Sequence, residues 1–193
     1  KIAQKIICLI IQPLVLLLIR WKITPNAITT AGFVVNLMAT AIMVIGADYR
    51  PKGDLTPLGL GGGLILFAGF FDILDGRLAR EGRMTSRFGA LYDSVLDRYS
   101  ELTMFLGICY FLVARHYFLA SLIGFVALIG SMMVSYIRAR SEGLNIECTA
   151  GLMQRPERIV LIGLSAMTCG IVAGATGGNQ KLFVEWLPFA IVE

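Results

Sequence analysis

The sequence predicts an all-α integral membrane protein, with six transmembrane helices and an N-terminal amphipathic helix lying in the interface. Three observations predict it. Hydrophobic residues fill 56% of the 193 positions and charged residues only 16%, where a soluble domain carries about a quarter charged. The apolar residues come in blocks near or above about 18, the length of a membrane crossing, rather than with a 2- or 3.6-residue period. Arginine and lysine gather in alternate connections between those blocks, as in a chain oriented by the positive-inside rule.

Residues 2–19 are apolar enough to span, yet Lys1, Gln4, Lys5, Cys8 and Gln12 share one helical face, Pro13 interrupts them and charges flank both ends. An interfacial helix accounts for that pattern better than a span. The chain thus divides into residues 1–22, a juxtamembrane helix, and residues 23–193, the membrane domain. It opens on Lys1 rather than Met, so the true N-terminus is expected to lie upstream. No small-residue cleavage site follows the first apolar block, so no secretory signal peptide is expected.

Six spans follow, at residues 27–47, 58–78, 88–113, 117–137, 159–175 and 182–192, the last short for a full crossing. With both ends cytoplasmic, the connections at 20–26, 77–87 and 138–158 face the cytoplasm. They collect Arg20, Lys22, Arg77, Arg80, Arg83, Arg87, Arg138, Arg140, Arg155 and Arg158, against Arg50, Lys52, Arg115 and Lys181 on the other side. An inner-membrane location follows. Gly59, Gly61, Gly62, Gly63 and Gly69 crowd the second span and read as positions where helix backbones approach closely. Cys8, Cys109, Cys148 and Cys169 are too scattered for a metal site or disulfide framework and read as small buried hydrophobes. His116 stands alone in a short connection and is given no catalytic role. The net charge of +4 is modest and indicates no nucleic-acid partner.

The informative stretch is FDILDGRLAREGRMTSRFGALYDSVLDRYSE, from Phe71 to Glu101. Asp72 and Asp75 lie at i and i+3 near the end of the second span, Asp93 and Asp97 at i and i+4 near the start of the third, so each pair shares a helix face. Antiparallel neighbours joined by about a dozen residues would bring all four carboxylates to one depth. Carboxylates in a membrane helix persist when paired, protonated or holding ions. Only Arg80 and Arg98 are at hand in these faces to answer them. An all-oxygen set selects hard cations, Mg²⁺ or Mn²⁺, over zinc or copper. Two such ions balance four carboxylates and leave positions open for phosphate oxygens, the arrangement that serves displacement at phosphorus. A salt-bridged turn at the membrane surface is the structural alternative. Gly76 and Gly89 permit a close backbone approach by a nucleotide, although packing alone also explains either, and Arg80 is placed to grip a diphosphate.

The run Asp72-x2-Asp75-Gly76-x2-Ala79-Arg80-x8-Gly89-x3-Asp93-x3-Asp97 resembles the signature of the CDP-alcohol phosphotransferase family at each of its eight fixed positions. The resemblance implies an enzyme that displaces CMP from a CDP-linked donor with an alcohol and works as a homodimer. It implies that Asp72, Asp75 and Asp93 bind metal, and that Asp97 is the general base and also a ligand. It further implies that Gly76, Ala79, Arg80 and Gly89 line the nucleotide site. The segment from Thr24 to Thr29 is similar to the one preceding the first span in many members, which adds Asn26 and Thr29 to that site. Helix capping by Thr24 or Asn26 explains the segment equally well.

The acceptor end reads VSYIRARSEGLNIECTAGLMQRPERI. Ser135 and Arg138 share a helix face, and Arg155 and Arg158 return in the next segment. A Ser/Arg/Arg set can clamp a phosphate, and the same arginines also satisfy the positive-inside rule with no ligand. The run is similar to that of prokaryotic phosphatidylinositol-phosphate synthases, which implies that Ser135, Arg138 and Arg155 hold the phosphate of inositol phosphate. Arg138 stands where lysine is common, keeping the charge and changing the hydrogen-bond geometry. Glycerol phosphate, free inositol and other alcohols stay open as acceptors, with CDP-diacylglycerol as donor.

Two other classes compete: a divalent-cation transporter, and a catalytically silent scaffold. Membrane carboxylates do mark ion pathways, but these gather at one edge and no other span adds a mid-membrane polar ladder. Intact Asp97 and Gly89 argue against the scaffold. With Asp97 as general base, Asp97→Asn keeps folding and nucleotide binding while turnover falls by about 10²–10⁴-fold; steady-state kinetics beside a nucleotide-binding assay check it, and near-normal turnover would remove Asp97 from the role.

Overall fold

A computed structural model describes residues 12–51, 53–146 and 153–175. The polar face at Lys1 to Cys8, the sixth expected span at 182–192, Cys148, Lys52 and Lys181 lie outside the described residues. Within them every regular element is helical: α1 over residues 12–20, α2 Pro25–Tyr49, α3 Thr56–Glu81, α4 Arg87–Ala114, α5 Phe118–Gly143 and α6 Arg155–Ala175. Four of these, α2, α3, α5 and α6, are long and apolar enough to cross a membrane. Helix α4 is as long, but its first four turns carry Asp93, Asp97, Arg98 and Glu101.

Local chemistry sets the boundaries. Proline opens α2 and α3 near their first residues, where its missing N–H is no loss. Asp54 Oδ1 accepts from the Thr56 amide at 2.8 Å just ahead of α3. Ser86 caps α4 by accepting from the Gly89 amide at 2.9 Å. Thr24 makes no side-chain cap bond at α2, so capping does not explain that threonine. The link between α3 and α4 is shorter than expected, residues 82–86, because both helices run on through the charged stretch.

Helix α3 packs on α2 and α6, α2 also packs on α4, and α4 carries α5. The two aspartate-bearing helices meet only at their margin. The expected α3–α4 packing is therefore replaced by a wedge: α2 fills the space between them, and a cleft is left at the end where the carboxylates lie. Gly32 allows the wedge, since a Cβ there would sit 2.9 Å from Cβ of Phe71. On its other side, α2 is held to α4 by polar bonds inside an apolar interface: Asn36 donates to the Ser100 carbonyl and to Thr103 Oγ1, and Thr40 to the Thr103 carbonyl. Side-chain bonds of this kind tie helices together where lipid offers no competing partner.

The α3–α6 contact is built from small residues. A Cβ on Gly59 would lie 2.8 Å from the Gly170 Cα, and one on Gly62 2.7 Å from the Gly163 carbonyl. Gly61 accommodates Met43 of α2, Gly69 makes only ordinary contact with Ile159, and Gly63 faces open space. Of the five crowded glycines, three thus carry close packing. Cys109 is buried as expected, whereas Cys169 is exposed on the outer side of α6. His116 adopts a left-handed conformation (φ 67°) in the α4–α5 turn.

At the end away from the carboxylates, Arg115 is buried and bonds the carbonyls of Gly46, at 3.0 Å, and Pro51. Its guanidinium also lies 5.1 Å from the Phe111 ring centroid, a cation–π contact that is stronger when desolvated. Gly62→Leu forces a side chain into the backbone of α6 and costs about 1–3 kcal/mol or more, while Gly63→Ala is tolerated; thermal unfolding of the two variants in detergent separates them.

Candidate active site

The ends of α2, α3, α4 and α6 converge where α3 finishes and α4 begins. Asp75 is 5% exposed, and Thr29 Oγ1 donates to its Oδ2 at 2.7 Å while also reaching the Pro25 carbonyl at 3.1 Å. Thr29, one turn into α2, therefore fixes the carboxylate of Asp75 on α3. Thr30, beside it, pairs with the Tyr92 hydroxyl at 2.9 Å and so draws the second turn of α4 against α2. Gly89 sits at this junction: an added Cβ would lie 3.0 Å from Ser86 Oγ and 3.3 Å from Asn26 Oδ1. Two of the expected nucleotide-site residues, Asn26 and Gly89, are thus neighbours. Gly76 has open space before it, with only the Arg80 guanidinium at 3.9 Å. Ala79 follows on the same helix and is half-buried.

Asp97 lies close enough to Asp72, Asp75 and Asp93 to feel the charge of each. The cation that answers them is neither Arg80 nor Arg98. Arg80 bonds the Gly76 carbonyl at 2.9 Å and Arg98 bonds Ser94, each within its own helix. Arg155, at the start of α6, crosses the cleft instead. One of its nitrogens lies 2.9 Å from Asp72 Oδ2 and 2.6 Å from Asp97 Oδ2, and the other reaches the Asp97 carbonyl at 3.4 Å. A guanidinium fork suits two carboxylates on different helices.

Among the described residues no three acidic, His or Cys side chains form a ready-made metal cage. The donor set is nevertheless oxygen-only, and a cation already bridges Asp72 and Asp97. The residues fit a hard divalent ion, with Arg155 standing where positive charge is required.

The expected acceptor residues divide. Arg155 is at the carboxylates, while Ser135 and Arg138 are half-buried on α5, which among the described helices packs only on α4. A second ion pair escaped the sequence reading: Arg158 binds Glu101 at 3.1 Å, and Glu101 is 2% exposed. The signal was present, since Glu101 falls one helical turn after Asp97 on the same face of α4.

Fold and site together define a multi-pass membrane protein with a cluster of carboxylates at the edge of a helix bundle. Residues 22–190 match the sequence profile of the CDP-alcohol phosphatidyltransferases, and the chain belongs to that family. It is a transferase of phospholipid synthesis. Among its relatives is the archaetidylinositol phosphate synthase of Methanothermobacter thermautotrophicus, 38% identical over 143 residues, or 74% of this chain and 66% of that one. The phosphatidylinositol phosphate synthase of Mycobacterium marinum is 32% identical over 181 residues, 92% of this chain and 68% of the relative. The chain thus spans about two thirds of the length of both. The crystal structure of the Mycobacterium tuberculosis phosphatidylinositol phosphate synthase with CDP-DAG bound superposes with a TM-score of 0.62 at 30% identity, covering 95% of this chain and 98% of that one. The same enzyme with manganese and citrate gives 0.64 at 28% identity, covering 95% and 92%.

Removing the bridging cation leaves two carboxylates uncompensated. Arg155→Gln is expected to destabilise the metal-free protein by about 1–3 kcal/mol, below the range for fully buried pairs because these groups are 21–33% exposed. Added Mn²⁺ should recover the loss; thermal unfolding in EDTA and in Mn²⁺ reads both.

Proposed function

We propose that this chain transfers the phosphatidyl group of CDP-diacylglycerol to inositol phosphate and releases CMP. The observation that carries the reading is that Arg155 bridges Asp72 of α3 and Asp97 of α4 across a cleft, with the other two motif aspartates close enough for Asp97 to feel their charge. The names of the relatives and the donor bound in one related structure support the choice of substrates.

In this reading the protein has six spans and an interfacial N-terminal helix, the site faces the cytoplasm across the inner membrane, and two copies form a homodimer. Two divalent ions, Mg²⁺ or Mn²⁺, held by Asp72, Asp75, Asp93 and Asp97, would supply neutralisation of the diphosphate and of the leaving CMP. Thr29 holds Asp75 in orientation. Gly76, Ala79, Gly89 and Asn26 leave room for the nucleotide, and Arg80 grips its diphosphate. Asp97 takes the proton from an inositol hydroxyl, whose oxygen forms a bond to the β-phosphorus. The bond from that phosphorus to the CMP oxygen breaks, and CMP leaves with the electron pair. Ser135, Arg138 and Arg155 hold the acceptor's phosphate.

The test is CMP release by the purified protein in lipid with CDP-diacylglycerol and Mg²⁺, comparing inositol phosphate, inositol and glycerol phosphate. Release with inositol phosphate alone is the expected result. Release only with another acceptor would reassign the substrate within the family.

A further inference from the structure

Glu101 lies outside the eight-position motif, and its burial is not explained by the chemistry above. It is 2% exposed on α4, and a carboxylate cut off from water persists as a charge only with a partner. Its Oε1 accepts from Arg158 Nη2 at 3.1 Å, from Arg158 Nε at 3.3 Å and from Ser131 Oγ. One atom thus joins α4, α5 and α6. Arg158 also donates to the Met153 carbonyl at 3.2 Å, so the same guanidinium holds the residues leading into α6. Arg155 lies three residues before Arg158, on the same face of the helix. The backbone of α6 packs on α3 and does not approach α4. The reach of α6 across the cleft is therefore made by side chains: Arg155 to Asp97, and Arg158 to Glu101.

We propose that Glu101 is a positioning residue: through Arg158 it fixes the first turn of α6 and so holds Arg155 over the carboxylate cleft. A buried ion pair adds little net stability compared with apolar residues of similar volume, so stability alone does not account for a carboxylate at this depth. Arg155 has two claims on it in the reading above, the aspartates before metal binds and the acceptor's phosphate afterwards. When ions take the aspartates, the Arg158–Glu101 pair still keeps α6 in place, and Arg155 stays within reach of the phosphate.

The inference rests on the proposed reaction for its second claim only, so two readouts are taken. The first is Mn²⁺ binding to the substrate-free protein, followed by electron paramagnetic resonance in wild type, Glu101→Gln, Arg155→Gln and the double variant. If Glu101 positions Arg155, Glu101→Gln loosens a competing cation and Mn²⁺ binds about 5-fold tighter or more, with no further gain in the Arg155→Gln background. Simple electrostatics predicts the opposite sign, because the variant removes a negative charge. Weaker or unchanged Mn²⁺ binding, or an equal effect with and without Arg155, overturns the proposal. The second readout is the KM for inositol phosphate, expected to rise about 10-fold or more while the KM for CDP-diacylglycerol holds; equal movement of both also overturns it. Arg158→Gln must give the same pattern and serves if Glu101→Gln does not fold. The Mn²⁺ pattern without any CMP release from wild type would sustain the role of Glu101 and sink the proposed reaction instead.

Discussion

Carboxylates in a membrane protein are costly unless paired, protonated or holding ions, and most of what is particular to this protein follows from gathering five of them at one end of a helix bundle with two arginines to answer them. Asp72, Asp75, Asp93, Asp97 and Glu101 sit on two helices that barely touch. Two arginines reach them from a third, and a threonine hydroxyl orients the most enclosed of the motif aspartates. Neutralising these groups within the protein would make an inert bundle. Leaving the balance partly to an arginine at the rim, 21% exposed, keeps the site exchangeable.

The packing elsewhere makes that end possible. Gly59, Gly62, Gly163 and Gly170 bring α3 and α6 to backbone contact, which sets the first turn of α6 beside the aspartates of α3. Helix α2 is bonded to α4 along Asn36 and Thr40, which holds the second aspartate pair at a fixed spacing from the first. The cleft is thus the remainder left by two tight interfaces. Its width is set by α2 rather than by any group within it.

Much of this was legible in the sequence. The apolar blocks located five described helices to within six residues at each end, because hydrophobic length is a direct consequence of bilayer thickness; the largest errors, at the end of α5 and the start of α6, fall where charged residues extend the helix beyond its apolar run. The motif spacing placed each aspartate pair on one face. What escaped was everything that depends on which helix stands next to which. Periodicity assigned α3 and α4 as packed neighbours because they are consecutive, and nothing in the residues announced that α2 would come between them. For the same reason the counter-cation was sought in Arg80 and Arg98, near in sequence, instead of Arg155, near in space. Glu101 closes the charged stretch in the sequence, but its partner is Arg158 of α6, whose side chain crosses the cleft to reach it.

The buried Arg115 makes the two ends of the bundle unlike. Its guanidinium clasps the end of α2 and the connection after it through the Gly46 and Pro51 carbonyls, and stacks on Phe111 of its own helix. The far end of the bundle is therefore stapled by a group that water hardly reaches, while the near end is spanned by ion pairs that solvent and ligands can contest. The two ends therefore differ in what can loosen them: the far end answers to little but unfolding, and the near end to whatever binds its carboxylates.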